Sequence, residues 1–320
     1  MLEKIGVVGG GMIGGVLVQE IGRRRLARAV GLVDIMPPDL AKGKSLDIAE
    51  GSPVVGFDCR FEGSKTYEAI AGSQLVINTA GVPRKPKPDG TLPSREELLA
   101  TNLKITDQVA EGIKAFAPNA IVISIANPLD AIVYRLHQLL KLPKGRLMGM
   151  AGVLDSARYR YFIAEAAGVS VDNVTALVLG GHGDDMVPIR SATRVAGLPV
   201  EMFVDGAKLD AIEARTRGAG GEVVKLLGSG SAFVSPAWSA LAMAEAIIYD
   251  RKQILAVSAL LEGEYGVKGL FVGVPAVLGK NGVEKVIQVP LNDAEKAALE
   301  RSVGVVSKTC AEVDQIAGKA

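Results

Sequence analysis

The sequence predicts an α/β chain: a doubly wound parallel sheet followed by an α+β region. Three observations carry this. Short, apolar, β-branched runs alternate with longer helical patterns through the first half, a glycine-rich turn joins the first strand to the first helix, and the alternation breaks down after about Met150. Strand–helix alternation specifies right-handed crossovers and a sheet covered on both faces.

In order, KIGVV from Lys4 reads as a strand and MIGGVLVQEIGRR from Met12 as the helix after it. VGLVD from Val30, QLVINTA from Gln74, AIVISIA from Ala120 and RLMGM from Arg146 are further strands. REELLATNLKITDQVAEGIKAF from Arg95 and PLDAIVYRLHQLL from Pro128 have helical spacing. Beyond them come a helix from Val153, the extended run NVTALVLGG, further extended runs and two long helices in mixed order. The expected division is 1–150 and 151–320, with no Pro- or Ser-rich linker. The halves should therefore share an interface whose cleft is the natural place for a site.

Composition narrows the classes. With 48% hydrophobic residues, 22% charged residues and a net charge of +1, the chain is neither disordered nor collagenous, and nucleic acid is not an expected partner. The longest apolar stretches are strand-sized, which argues against an integral membrane protein. A strand-like run starts almost at Met1, so the expected location is the cytoplasm. Cys59 and Cys310 stand far apart with no ligand-spaced partner; both are expected to be reduced, packed thiols, and no metal site is expected.

The first turn, Gly9-Gly10-Gly11-Met12-Ile13-Gly14, is a GxGxxG between strand and helix. Glycines there allow a tight turn, close approach of a pyrophosphate to backbone N–H groups, and close packing of helix on strand. Asp34 follows Gly14 by twenty residues and closes the second strand, where a carboxylate accepts ribose hydroxyls and repels a 2′-phosphate. The pattern favours NAD over NADP. A glycine-rich turn that binds nothing, with Asp34 as a strand-end cap, uses the same letters.

Two further clusters have chemical potential. His182, in GGHGDDMVP, is one of two histidines; flanking glycines leave its backbone bare, and imidazole exchanges a proton near neutral pH. A loop histidine held by local hydrogen bonds is the plainer reading, and His137, inside YRLHQLL, reads as a half-buried helix residue. In VLDSARYR, Asp155 and Arg158 are three apart and share a helical face, suited either to a common cleft or to an ordinary surface ion pair.

Taken together and in order, GGGMIG with VDI, TAGVPRKP, SIANPLD, GVLDSARYR and GGHGDDMVP resemble the malate and lactate dehydrogenase superfamily over essentially the whole chain, closest to the malate dehydrogenases built like lactate dehydrogenases. The resemblance implies a Rossmann-type domain followed by a substrate domain, assembled as a homotetramer (a dimer of dimers) or a dimer. It implies NAD bound by Gly9, Gly11, Met12, Ile13, Gly14, Asp34, Ala80, Gly81, Asn102, Ile125 and Asn127. His182 is then the acid and base, Asp155 its ring partner, and Arg158 the ligand of the substrate's C1 carboxylate. Asn127 falls on the reacting oxygen.

The resemblance also gives a meaning to the loop VPRKPKPDGTLPSR. Arg84 matches the position that pairs with the second carboxylate of a dicarboxylate, and Arg95 the lid arginine that polarises the carbonyl. The implied reaction is reversible hydride transfer between (S)-malate and oxaloacetate. Arg84 and Arg95 are eleven apart, however, more than in the RKPGMxR of most relatives, and the longer lid resembles that of apicomplexan lactate dehydrogenases. A lactate dehydrogenase or a bifunctional enzyme is the alternative. Trp238, the only tryptophan, is expected to pack between helices.

Overall fold

The computed structural model describes residues 1–36, 39–83, 94–228 and 230–318. Its spine is a nine-stranded sheet among those residues. The first half supplies β1 (Leu2–Val8), α1 (Met12–Arg23), β2 (Ala27–Val33), α2 (Leu40–Val55), β3 (Arg60–Ser64), β4 (Leu75–Asn78), α3 (Arg95–Phe116), β5 (Ile121–Ser124), α4 (Leu129–Leu140) and β6 (Leu147–Gly149). These strands run parallel in the order β3-β2-β1-β4-β5-β6. The chain leaves β1 to one side for β2 and to the other for β4, so the connecting helices diverge between them. That divergence opens a crevice at the carboxyl ends of β1 and β4, the place where open α/β sheets bind ligands.

The second half begins with α5 (Gly152–Ala167) and continues through short strands β7 (Val174–Thr175), β8 (Val178–Leu179), β9 (Val187–Pro188), β10 (Arg194–Val195) and β11 (Leu198–Pro199). Helices α6 (Gly206–Leu227) and α7 (Val234–Ile248) follow, then β12 (Gln253–Glu262), β13 (Lys268–Gly279), β14 (Gly282–Val286) and α8 (Asp293–Ala317). The meander β12-β13-β14 joins the first sheet antiparallel to β6, with Ser258 opposite Gly149. The two halves are thus stitched through one sheet. Among the described residues, no helix is long and apolar enough to cross a membrane.

Several expectations hold closely. The helix expected from Arg95 starts there, because Ser94 accepts from the Glu97 N–H and the Glu97 carboxylate accepts from the Ser94 N–H, closing a capping box. Strands β1, β2, β4, β5 and β6 are buried along most of their length, as a sheet covered on both faces requires, while β3 at the edge is not. His137 is half-buried and packs edge-on to Phe271 at 5.4 Å.

Other expectations need correction. NVTALVLGG is not one extended run: it divides into β7 and β8, which pair with different partners. Three helices rather than two follow the short strands, α7 being almost uniformly apolar and so lacking a helical stripe. Trp238 does not pack between helices; it is 51% exposed on α7. The cysteines are free, Cys310 buried and Cys59 partly so, and burial pushes their thiols up to about 12 and about 11 respectively.

The sheet tolerates little change where helical connections cross it. A Cβ added at Gly31 in β2 would stand 1.9 Å from the Ala69 carbonyl oxygen, backbone that cannot swing aside. Gly31→Ala should lower stability by about 3 kcal/mol or more, since overpacking of this kind forces backbone shifts. Denaturant titration would measure it, and a loss within about 0.5 kcal/mol would contradict the packing described.

Candidate functional site

The glycine turn sits at the end of β1, inside the crevice. Gly9 has φ +99, and a Cβ there would stand 2.5 Å from Thr79 Oγ1 and 2.8 Å from the Ala80 nitrogen. A Cβ at Gly14 would stand 1.9 Å from the Gly9 carbonyl, so glycine lets α1 pack against its own approach strand. At Gly11 nothing lies within 4 Å of the Cβ position. That opening, in front of the backbone of Met12 and Ile13 at the positive end of α1, lets an anion such as a pyrophosphate approach the backbone N–H groups.

Asp34 closes the turn from β2. Its Oδ2 accepts from the Gly10 N–H at 2.5 Å and its Oδ1 from the Met36 N–H at 2.7 Å. Both oxygens keep further acceptor capacity, and Asp34 lines a cavity of about 300 Å³ with Gly9, Gly11, Ala80 and Gly81. The cavity carries a carboxylate at its edge, an arrangement able to accept from the hydroxyls of a ribose. Sequence reasoning missed Lys44 of α2, whose ammonium donates to the carbonyls of Gly10 at 2.6 Å and Gly11 at 2.8 Å. Burial lowers its pKa, while Asp34 opposes that shift. The backbone of Gly10 is therefore held on both sides, by Asp34 at its N–H and by Lys44 at its C=O. Nothing about a lysine in a weakly amphipathic helix announces this.

The opposite wall is tied by Asn102. Its Oδ1 accepts from the Val82 N–H at 2.8 Å, and its amide donates to the Val82 carbonyl at 3.2 Å and the Asn127 carbonyl at 2.9 Å. Asn102 is only 2% exposed, so it supports the Gly81 turn and the Asn127 backbone that line the crevice. Ala80 is fixed in turn by its N–H donating to Asn78 Oδ1 at 3.1 Å.

A second cavity, of about 200 Å³, lies where the two halves meet. Ile13, Ile125 and Asn127 come from the first half; Arg158 and His182 come from the second, with Gly220 and Val224 of α6. The expected residues of both halves thus converge on one cleft beside the glycine turn. His182 Nδ1 is 2.8 Å from Asp155 Oδ2, and Arg158 Nη1 is 3.3 Å from Asp155 Oδ1. A carboxylate only accepts, so Nδ1 carries the proton in this pair and Nε2 is the nitrogen free for other chemistry. Asp155 is 2% exposed at its side chain, His182 16% and Arg158 15%. This is a sheltered constellation, not a surface ion pair. Burial disfavours the charged imidazole, but Asp155 and then Asp130 outweigh it and the opposing Arg158, and the His182 pKa stands above its ordinary value. Arg84 and the side chain of Arg95 lie outside the described residues; the backbone of Arg95 opens α3.

Gly220 was also missed, although three glycines in Gly218-Ala219-Gly220-Gly221 inside a helix are a legible signal, each costing about 1 kcal/mol of helix propensity. A Cβ at Gly220 would lie 3.8 Å from Arg158 Nη2 and 3.9 Å from Nη1. The missing side chain leaves the guanidinium open to the cleft.

Comparison with known proteins agrees with this geometry. Residues 3–149 match the family described as lactate/malate dehydrogenase, NAD binding domain, and residues 152–316 match lactate/malate dehydrogenase, alpha/beta C-terminal domain. The chain belongs to the lactate/malate dehydrogenase family. NAD is its cofactor, and it is an NAD-dependent 2-hydroxy acid dehydrogenase. It is 54% identical over 312 residues to malate dehydrogenase 1 of Anaeromyxobacter dehalogenans, covering 97% of this chain and 98% of that one. Among solved structures it resembles the malate dehydrogenase of Cryptosporidium parvum (TM-score 0.93, 40% identity, 98% of this chain and 100% of that one). It is similarly close to the lactate dehydrogenase of the same organism, complexed with lactic acid and nicotinamide adenine dinucleotide (TM-score 0.92, 41% identity, 98% of each chain).

Filling the space before Arg158 tests the cleft. Gly220→Val should raise the substrate KM by about ten-fold or more, the equivalent of one weakened charged hydrogen bond, with NADH affinity unchanged. Fluorescence titration of NADH beside steady-state kinetics would separate the two. An unchanged KM would mean that Arg158 does not face the substrate.

Proposed function

We propose that the chain catalyses the reversible, NAD-dependent interconversion of (S)-malate and oxaloacetate, the reaction of the tricarboxylic acid cycle. Bound nicotinamide supplies or accepts the hydride. The protein's residues do the rest. His182 gives a proton to the ketone oxygen during reduction and takes it back during oxidation, while Asp155 fixes the ring through Nδ1 and stabilises the imidazolium. The raised pKa of His182 keeps the donor form populated nearer to neutrality.

Arg158 grips the C1 carboxylate; its contact with Asp155 is long at 3.3 Å, so most of its fork remains available. Asn127 orients the reacting oxygen. Met12, Ile13 and Gly14 at the start of α1 take the pyrophosphate, Asp34 the ribose, and Ile13 and Ile125 flank the nicotinamide. Arg95 polarises the carbonyl.

The observation that carries malate rather than lactate is Arg84, a second fixed cation where a neutral residue would suit pyruvate, in a chain 54% identical to a protein named malate dehydrogenase. Lactate, or both substrates, is the second reading. It draws on the eleven-residue spacing of Arg84 and Arg95 and on the likeness to the lactate dehydrogenase above.

The substrate-binding part is assigned to residues 151–320. We assign the assembly as a homotetramer, a dimer of dimers. Half-exposed Trp238 on α7 and exposed Leu46, Val54 and Val55 on α2 support it, since both helices pack against α1 and leave apolar surface uncovered. Free, deprotonation-resistant thiols suit the reducing cytoplasm.

His182→Asn tests the chemistry. Oxaloacetate turnover should fall by about 10²–10⁴-fold while NADH still binds. In the unsubstituted protein, reduction should lose kcat/KM as pH rises through a midpoint above the ordinary histidine value of about 6.5, because reduction needs the protonated ring. Near-full turnover in H182N would refute the assignment.

A further inference from the structure

We propose that Asp130 is a second carboxylate partner of His182: a positioning residue that holds the histidine's main chain from α4 and places negative charge beside the ring. This rests on His182 being the acid and base of the reaction. Asp130 Oδ2 accepts from the backbone N–H of His182 at 2.9 Å, and its Oδ1 accepts from the Ser258 hydroxyl of β12 at 3.1 Å. The residue is 9% exposed and lies beneath the loop, where a Cβ added to Gly181 would stand 3.3 Å from Oδ2.

The loop that carries His182 is pinned one residue at a time. Gly180 exchanges two 2.9 Å hydrogen bonds with Gly273 of β13, the Gly181 N–H donates to Ser302 Oγ of α8 at 2.9 Å, and the His182 N–H goes to Asp130. Three elements distant in sequence therefore take three successive N–H groups. A neutral acceptor suffices at Ser302 and at Gly273. At His182 the acceptor is a carboxyl, although a buried carboxylate with two donors is costly to maintain.

That cost has a use if the charge acts on the ring. Burial, aided by the nearby Asp155 charge, raises the Asp130 pKa above its ordinary value, while the His182 N–H, the imidazolium charge and the Ser258 hydroxyl oppose that shift. Reciprocally, Asp130 adds to Asp155 in favouring the protonated imidazole. Among the described residues, the groups facing the ring are Asp155 and Arg158 from α5 and Asp130 from α4. Asp184 and Asp185 flank it on its own loop, Glu312 of α8 lines with Asp130 and His182 a separate cavity of about 230 Å³, and Cys310 of α8 faces Asp130. Asp155 orients the ring through Nδ1; Asp130 fixes the main chain from which the ring hangs.

Asp130→Asn keeps the shape and an acceptor for the His182 N–H, and its amide can donate to Ser258, but the charge is gone. The readout is the pH dependence of kcat/KM for oxaloacetate reduction, together with a direct proton NMR titration of His182. The chain has only two histidines, so H137Q assigns the signals. D130N should keep NADH affinity and move the midpoint down by about one pH unit, with about ten-fold less activity above it. A lowered plateau with an unmoved midpoint would make Asp130 purely structural and overturn the proposal.

If D130N does not fold, D155N decides. With Asp130 as its remaining carboxylate partner, His182 should still titrate near its ordinary value of about 6.5. A fall of about two units or more, expected of a buried imidazole beside Arg158 alone, would overturn the proposal. An unshifted D130N with an inactive H182N sinks only the role of Asp130; an active H182N sinks the reaction assignment as well.

Discussion

The 2.8 Å hydrogen bond between Asp155 and His182 joins the first turn of α5 to a loop twenty-seven residues later, and the surrounding architecture exists to keep it in place. Asp155 cannot drift, because α5 is buried against the sheet through Gly152, Leu154 and Ser156. His182 cannot drift either, because its loop is bonded to β13, α8 and α4. A proton donor must lie within about 3 Å of its target to work, and rigid elements hold such tolerances better than a free loop does.

The same economy governs the cofactor side. The crevice at β1 and β4 is a consequence of strand order, but strand order alone leaves an unshaped gap. Its shape comes from polar side chains that spend their hydrogen bonds on backbone: Asp34 and Lys44 on the N–H and C=O of Gly10, Asn102 on Val82 and Asn127, Thr79 on the carbonyls of Val8 and Gly9. Pre-ordering of this kind removes conformational entropy that the cofactor would otherwise have to offset. Glycine then appears where the backbone itself must be approached.

Much of this was legible in the letters. GGGMIG followed by Asp34, the helical spacing from Arg95 and the i,i+3 pairing of Asp155 with Arg158 all encode local geometry, and local geometry survives translation into a fold. What stayed hidden depends on distant partners. The helix α2 contains Pro53, Gly43 and Gly51 and shows little amphipathicity, so neither it nor the polar strand β3 stood out. Asp130 resembled an ordinary first-turn acid of α4, and only the return of Ser258 on β12 and of His182 to its side makes it unusual. Trp238 was misjudged because an apolar residue in an apolar helix looks buried until the neighbouring elements are placed.

On the proposed reading, substrate choice lies with Arg84 and Arg95, where a second arginine and a lengthened spacing argue for different substrates. A buried cation is stable only when an anion meets it, so on that reading Arg84 should penalise pyruvate more than it assists oxaloacetate. The most direct measurement is steady-state NADH oxidation with oxaloacetate and pyruvate side by side, expressed as the ratio of their kcat/KM values. The account predicts a preference for oxaloacetate of about 10³ or more, the value of a buried, charge-paired carboxylate. Parity, or a preference for pyruvate, would contradict it.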